Sequence, residues 1–74
     1  SQARLVVLRG NRDWVLSEVK YLVSMASQRL QVTQDIASAV TPLKIAEQRL
    51  SGLADPSLLP LQSALKHDIT QLIN

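Results

Sequence analysis

The reactive groups of this 74-residue chain are few and poorly spaced for chemistry. His67 is the single imidazole, with Asp68 beside it. A proton shuttle or metal ligand needs partners on the same face, and helical turning directs His67 away from Leu58 and Leu65, into water. Cysteine is absent, which removes disulfides and thiolate metal sites while leaving the redox compartment open. Asp13 and Glu18 form the one close carboxylate pair of their segment, but a five-residue separation turns them to different faces, against a shared acid–base role. Gly10 and Gly52 lie too far apart for a phosphate-cradling loop, so neither nucleotide nor S-adenosylmethionine has an evident site. The serines have no base at a useful spacing and no nucleophile elbow. No catalytic, cofactor-binding or metal-ligating residue is assigned, and no cofactor is expected.

The stretch NRDWVLSEVKYLVSMASQRL, residues 11–30, holds the residues of most interest. Trp14 and Tyr21, the two aromatics, stand seven residues apart on one helical stripe with Met25. Two readings stay open: an exposed strip that docks a partner helix or peptide, or packing against a leading helix inside the chain. Glu18 and Arg29 fall inside the apolar arc of the same segment, three turns apart, and cannot reach each other along the helix. Each therefore needs a partner from a neighbouring helix, since an unpaired buried charge costs several kcal/mol. Asp35 is a plausible mate for Arg29.

Composition bounds the setting. A chain this short buries only about 60% of its unfolded surface, so one small helical domain, or a piece of one, is expected over residues 1–74. A hydrophobic fraction of 46% with 19% charged residues is too apolar for disorder. The longest apolar run is Leu5 to Leu8, far short of a membrane span or signal peptide. Net charge is +2 and scattered; Arg4, Arg9 and Arg12 are the nearest thing to a basic cluster, which argues against nucleic acid. The chain opens on QARLVVLRG without an initiator Met and reads as a fragment of a longer protein.

The elements follow from periodicity. Residues 1–9 read as the tail of a severed helix, ended by Gly10 with Asn11 or Asp13 capping the next; a strand is the rival for LVVL. Residues 12–32 carry Val15, Val19, Leu22, Ala26 and Leu30 on one stripe and Trp14, Tyr21 and Met25 on a second, with Leu16 and Val23 further round. So broad an apolar arc predicts the central helix, buried on more than one side. Residues 33–53 form a surface helix with Ile36, Val40, Leu43, Ala46, Leu50 and Leu53 inward, Thr33 as cap and Gly52 near its stop. Pro42 kinks that helix or splits it; the stripe keeps its phase across the proline, which favours a kink. Residues 56–73 form the last helix, opened by Asp55-Pro56, with Leu58, Leu61, Leu65, Ile69 and Leu72 inward and Pro60 tolerated in a loose first turn. The fold expected is all-α: a small antiparallel bundle of three helices with a short N-terminal helical stub. Its joints are also reminiscent of tetratricopeptide-type helix-turn-helix packing.

RGNRDWVLSEVKYLVSMASQRLQVTQDIASAV and LADPSLLPLQSALKHDI together resemble the HemX family, whose label is uroporphyrinogen-III C-methyltransferase. The likeness rests on Asp13-Trp14, Glu18-Val19, Tyr21-Leu22, Ala26 and Gln28-Arg29-Leu30. It continues through Asp35, Ala39, Leu43, Ala46 and Arg49-Leu50, then Asp55-Pro56 with Leu58-Leu59-Pro60. Ser17 and Pro42 depart from that pattern. The resemblance implies a bacterial inner-membrane protein with one N-terminal spanning helix, a coiled-coil stretch and a helical periplasmic portion, to which this segment would belong. It also implies an association with haem and tetrapyrrole biosynthesis. A methyltransferase of that name binds S-adenosylmethionine on glycine-rich loops of an α/β fold, which this segment lacks, and no catalytic residue is carried over. The expected role is a structural or interaction module engaging a protein partner or a second copy through Trp14, Tyr21 and Met25, without membrane contact by the segment itself. The alternative is one wall of a methyltransferase site completed elsewhere.

Overall fold

The computed structural model describes residues 2–73, with side chains described from residue 10 onward. Three α-helices follow one another: α1 (Gln2–Gln28), α2 (Ile36–Leu53) and α3 (Leu59–Ile73). A π-helical turn, Arg29–Thr33, extends α1, and a 3-10 turn, Pro56–Leu58, leads into α3. The whole forms a slab of 48 × 20 × 13 Å whose length is set by α1 and its extension.

The leading stub is not a separate piece. Helix α1 runs unbroken through LVVL, Gly10 and Asn11, and no glycine takes a positive φ. Gly10 lacks the left-handed geometry of a helix stop, and a helical glycine costs only about 0.5–1 kcal/mol, too little to break a long helix. The left-handed positions fall instead on Gln34 (φ 54°) and Ala54 (φ 50°), each closing the helical run before it. Gly52 lies inside α2, which continues to Leu53.

The starts of α2 and α3 are fixed by aspartates. Asp35, rather than Thr33, caps α2: one carboxylate oxygen accepts from the Ser38 N–H at 3.1 Å and the other from the Ser38 hydroxyl at 2.6 Å. Asp55 repeats the device, accepting from the Ser57 N–H at 3.0 Å and the Ser57 hydroxyl at 2.7 Å. Pro56 opens the 3-10 turn that serves as the loose first turn, so Pro60 sits early in α3. Pro42 does not split α2; the helix passes through it, and Pro42 itself is buried.

The middle position belongs to α2, which packs against both α1 and α3. This reverses the expectation that residues 12–32 are central and residues 33–53 peripheral. The reason lies in side-chain size. Ala39 and Ala46 are 0% exposed, and alanines at a crossing let neighbouring backbones approach closely, so α2 can be flanked twice. Around them the core gathers Val15, Val19, Leu22 and Ala26 from α1, Leu43 and Leu50 from α2, then Leu58 and Leu65. Leu16, Leu30, Leu53, Ile69 and Leu72 are half-buried at its margin. Ile36 and Leu61, expected inside, are exposed.

Candidate functional site

The apolar arc of α1 divides in two. Val15, Val19, Leu22 and Ala26 are covered by the core, whereas Trp14 is 72% exposed and Tyr21 64% exposed. Packing against a leading helix is not available to them, because that segment continues α1 in line. Met25 is half-buried and joins the strip to a groove between α1 and α2. This groove, of about 320 Å³, is lined by Leu22, Met25, Arg29, Thr41, Pro42 and Ile45. Ile45 is exposed and lies outside the stripe that α2 buries, which is the signal by which sequence reading could have found it.

Glu18 marks the seam between the two stripes of α1. Its partner is Arg49 of α2, with Nε 2.6 Å from one carboxylate oxygen and a guanidinium N–H donating to the other at 3.4 Å. The shorter approach is a charge contact without an aligned N–H, since that oxygen is buried and accepts no hydrogen bond. No sequence signal paired Arg49 with Glu18, because the contact crosses 31 residues. Arg29 differs from expectation. It is exposed, lines the groove, and belongs to none of the ion pairs found among the described residues, which are Arg12–Asp55, Arg49–Glu18 and Lys66–Glu47. Asp35 does not clamp it: no ion pair joins the two, and the Asp35 carboxylate caps α2 through Ser38 instead.

Electrostatics follow the caps. Hydrogen bonds from the Ser38 side chain and then its backbone hold the Asp35 carboxyl below the ordinary value of 3.8, with the Arg29 charge adding to the effect. The Asp55 carboxyl is lowered in the same way by the Ser57 side chain and backbone, then by Arg12, whose Nε donates to it at 3.0 Å. Arg12 thereby ties α1 to the joint between α2 and α3. Arg4 and Arg9, its companions in the basic cluster, have side chains outside the described residues. His67 is exposed on α3. A second groove of about 390 Å³ lies between α1 and α3 beside Leu43 of α2, with Val23, Leu30 and Leu72 also on its walls and Asp68 in its lining. Among the described residues no set of three or more His, Cys, Asp or Glu side chains is grouped to hold a metal ion.

The sequence profile of the family described as "HemX, putative uroporphyrinogen-III C-methyltransferase" matches residues 10–74. A protein of Haemophilus influenzae described only as uncharacterized is 28% identical over 72 residues, covering 97% of this chain and 31% of that protein. The chain thus spans about a third of that relative's length. No solved structure matches.

Proposed function

The chain belongs to the HemX family, and from that premise we propose that this segment is a helical interaction module docking through Trp14, Tyr21 and Met25. The observation that carries the reading is the exposure of both aromatics on one stripe of a helix whose other stripe is fully engaged. Large aromatic side chains gain most when a partner removes them from water, and they are favoured at the centres of interfaces. The family's description links it by name to tetrapyrrole biosynthesis. In this reading the short joints at residues 34–35 and 54–55 fold consecutive helices back on one another, an antiparallel, tetratricopeptide-like arrangement that presents the α1 strip as a rigid edge. The reading places the module on the periplasmic side of an inner-membrane protein; among the described residues no helix is long and apolar enough to cross a membrane.

The test compares chemical crosslinking and co-purification of the full-length polypeptide with its Trp14→Ala and Tyr21→Glu variants. Loss of one defined crosslink in both variants is the expected result; unchanged crosslinks in both would remove the strip from any interface. The family's description favours one rival reading, methyl transfer to a tetrapyrrole with this segment as part of the wall. Calorimetric titration of the full-length polypeptide with S-adenosylmethionine separates the two, and saturable micromolar binding would favour the enzyme.

A further inference from the structure

We infer that the occupant of the Trp14–Tyr21 strip is a further amphipathic helix of the same polypeptide, from outside these 74 residues, and neither a free partner nor a second copy. The inference rests on the docking reading above and names what docks. Its first support is area. An aromatic side chain buries about 150–250 Å². At 72% and 64% exposure, Trp14 and Tyr21 therefore offer roughly 200–340 Å² together. Met25 is already half-buried, and Ile45 adds only part of one side chain. A stable bimolecular interface takes about 800 Å² from each partner, well beyond this strip. A segment tethered by a short flexible linker faces an effective concentration in the millimolar range, which favours closure of a contact too small to hold a free partner.

The second support is supply. The matched region is 31% of the Haemophilus influenzae relative, so a protein of that length holds ample further chain to provide a helix. The third is charge. The groove that continues the strip has an apolar floor at Leu22, Pro42 and Ile45, with Arg29 as its one charged lining residue. Arg29 is in none of the ion pairs among the described residues. The occupant therefore presents apolar side chains at helical spacing to Trp14, Tyr21 and Ile45, and an Asp or Glu to Arg29.

The experiment uses thiol labelling, because this segment contains no cysteine. The full-length polypeptide, with any cysteine elsewhere changed to serine, carries Tyr21→Cys or, as the control on an uncovered side of α1, Lys20→Cys. Gln28→Cys, exposed seven residues beyond Tyr21 on the same stripe, leaves both aromatics in place, which keeps the test decisive if Tyr21→Cys misfolds. Maleimide labelling rates are read at nanomolar and micromolar protein, native and in urea. The expected result is protection of the strip thiols by more than tenfold relative to urea, equal at both concentrations, with Lys20→Cys unprotected. Adding Arg29→Glu is expected to relieve at least threefold of that protection; no change would remove the carboxylate from the occupant. Protection that appears only at micromolar protein assigns the strip to a second copy and overturns the tethered helix while the docking reading stands. Strip thiols that label as fast as in urea at both concentrations overturn both.

Discussion

The two apolar stripes of α1 share a helix, a period and a similar hydrophobic character. Val15, Val19, Leu22 and Ala26 lie in the core, while Trp14 and Tyr21, about a third of a turn round the helix from that stripe, face water. What separates them is the surface opposite. The core that covers the first stripe is made of small and branched side chains, among them Ala39 and Ala46 of α2, both fully buried. Indole and phenol rings do not fit such a seam. The stripe of larger side chains is left on the flank, where they are available to something else.

The largest expected effect tests that division directly. Leu50 is 0% exposed, so Leu50→Ala is expected to lower the unfolding free energy by about 2–5 kcal/mol in urea titrations. Trp14→Ala and Tyr21→Ala should stay within about 0.5 kcal/mol in the same chain. A Trp14→Ala loss equal to that of Leu50→Ala would erase the contrast and return the strip to the core.

Backbone substitutions probe whether one rod carries both stripes. A Cβ at Gly10 meets nothing within 4 Å. Gly10→Ala should therefore stabilise by about 0.5–1 kcal/mol if the helix is continuous there. A destabilising result in thermal melts would place a break at Gly10. Ala54→Gly should stabilise by about 1 kcal/mol, because Ala54 holds a left-handed conformation that strains any Cβ.

The seam residue comes next. Arg49→Ala should cost about 0.2–1 kcal/mol, since the Glu18–Arg49 pair is partly solvated, with side chains 27% and 57% exposed. At ~1 M salt, where screening reaches about 3 Å, most of that difference should vanish. A salt-independent loss would mean that Arg49 acts through packing.

The smallest effect is read as a direction with pH. Asp35 and Asp55 have lowered folded-state pKa values, so their contributions are fully present above the ordinary value of 3.8 and are lost as acid titrates through the folded values below it. Unfolding midpoints taken downward from pH 5 should fall less steeply for the Asp35→Asn, Asp55→Asn double variant than for the parent. Parallel slopes would show that the caps carry no such linkage.

Much of the fold was legible along the chain because its signals are local. Asp55-Pro56 announces a helix start, and the stripe from Val40 through Leu43, Ala46 and Leu50 keeps its phase across Pro42 because helical periodicity does not depend on one missing hydrogen bond. The misleading signals were also local. Gly10 suggested a stop and Thr33 a cap, but a glycine only permits the left-handed turn, and Asp35 outcompetes Thr33 by binding both Ser38 donors. Of the candidate site, Trp14, Tyr21 and Met25 could be placed on one stripe, and Glu18 could be said to need a partner. That the partner is Arg49 and that Ile45 borders the same groove required knowing how α1 and α2 lie together.

By itself the sequence determined the helical period, the aspartate cap at Asp55 and the presence of two apolar stripes on α1, because each depends on residues within a turn or two of one another. Only the tertiary structure decided which helix is central and which stripe is covered. Those outcomes depend on packing between residues far apart in the chain, with α2 lying against both neighbours and its Ala39 and Ala46 completely buried.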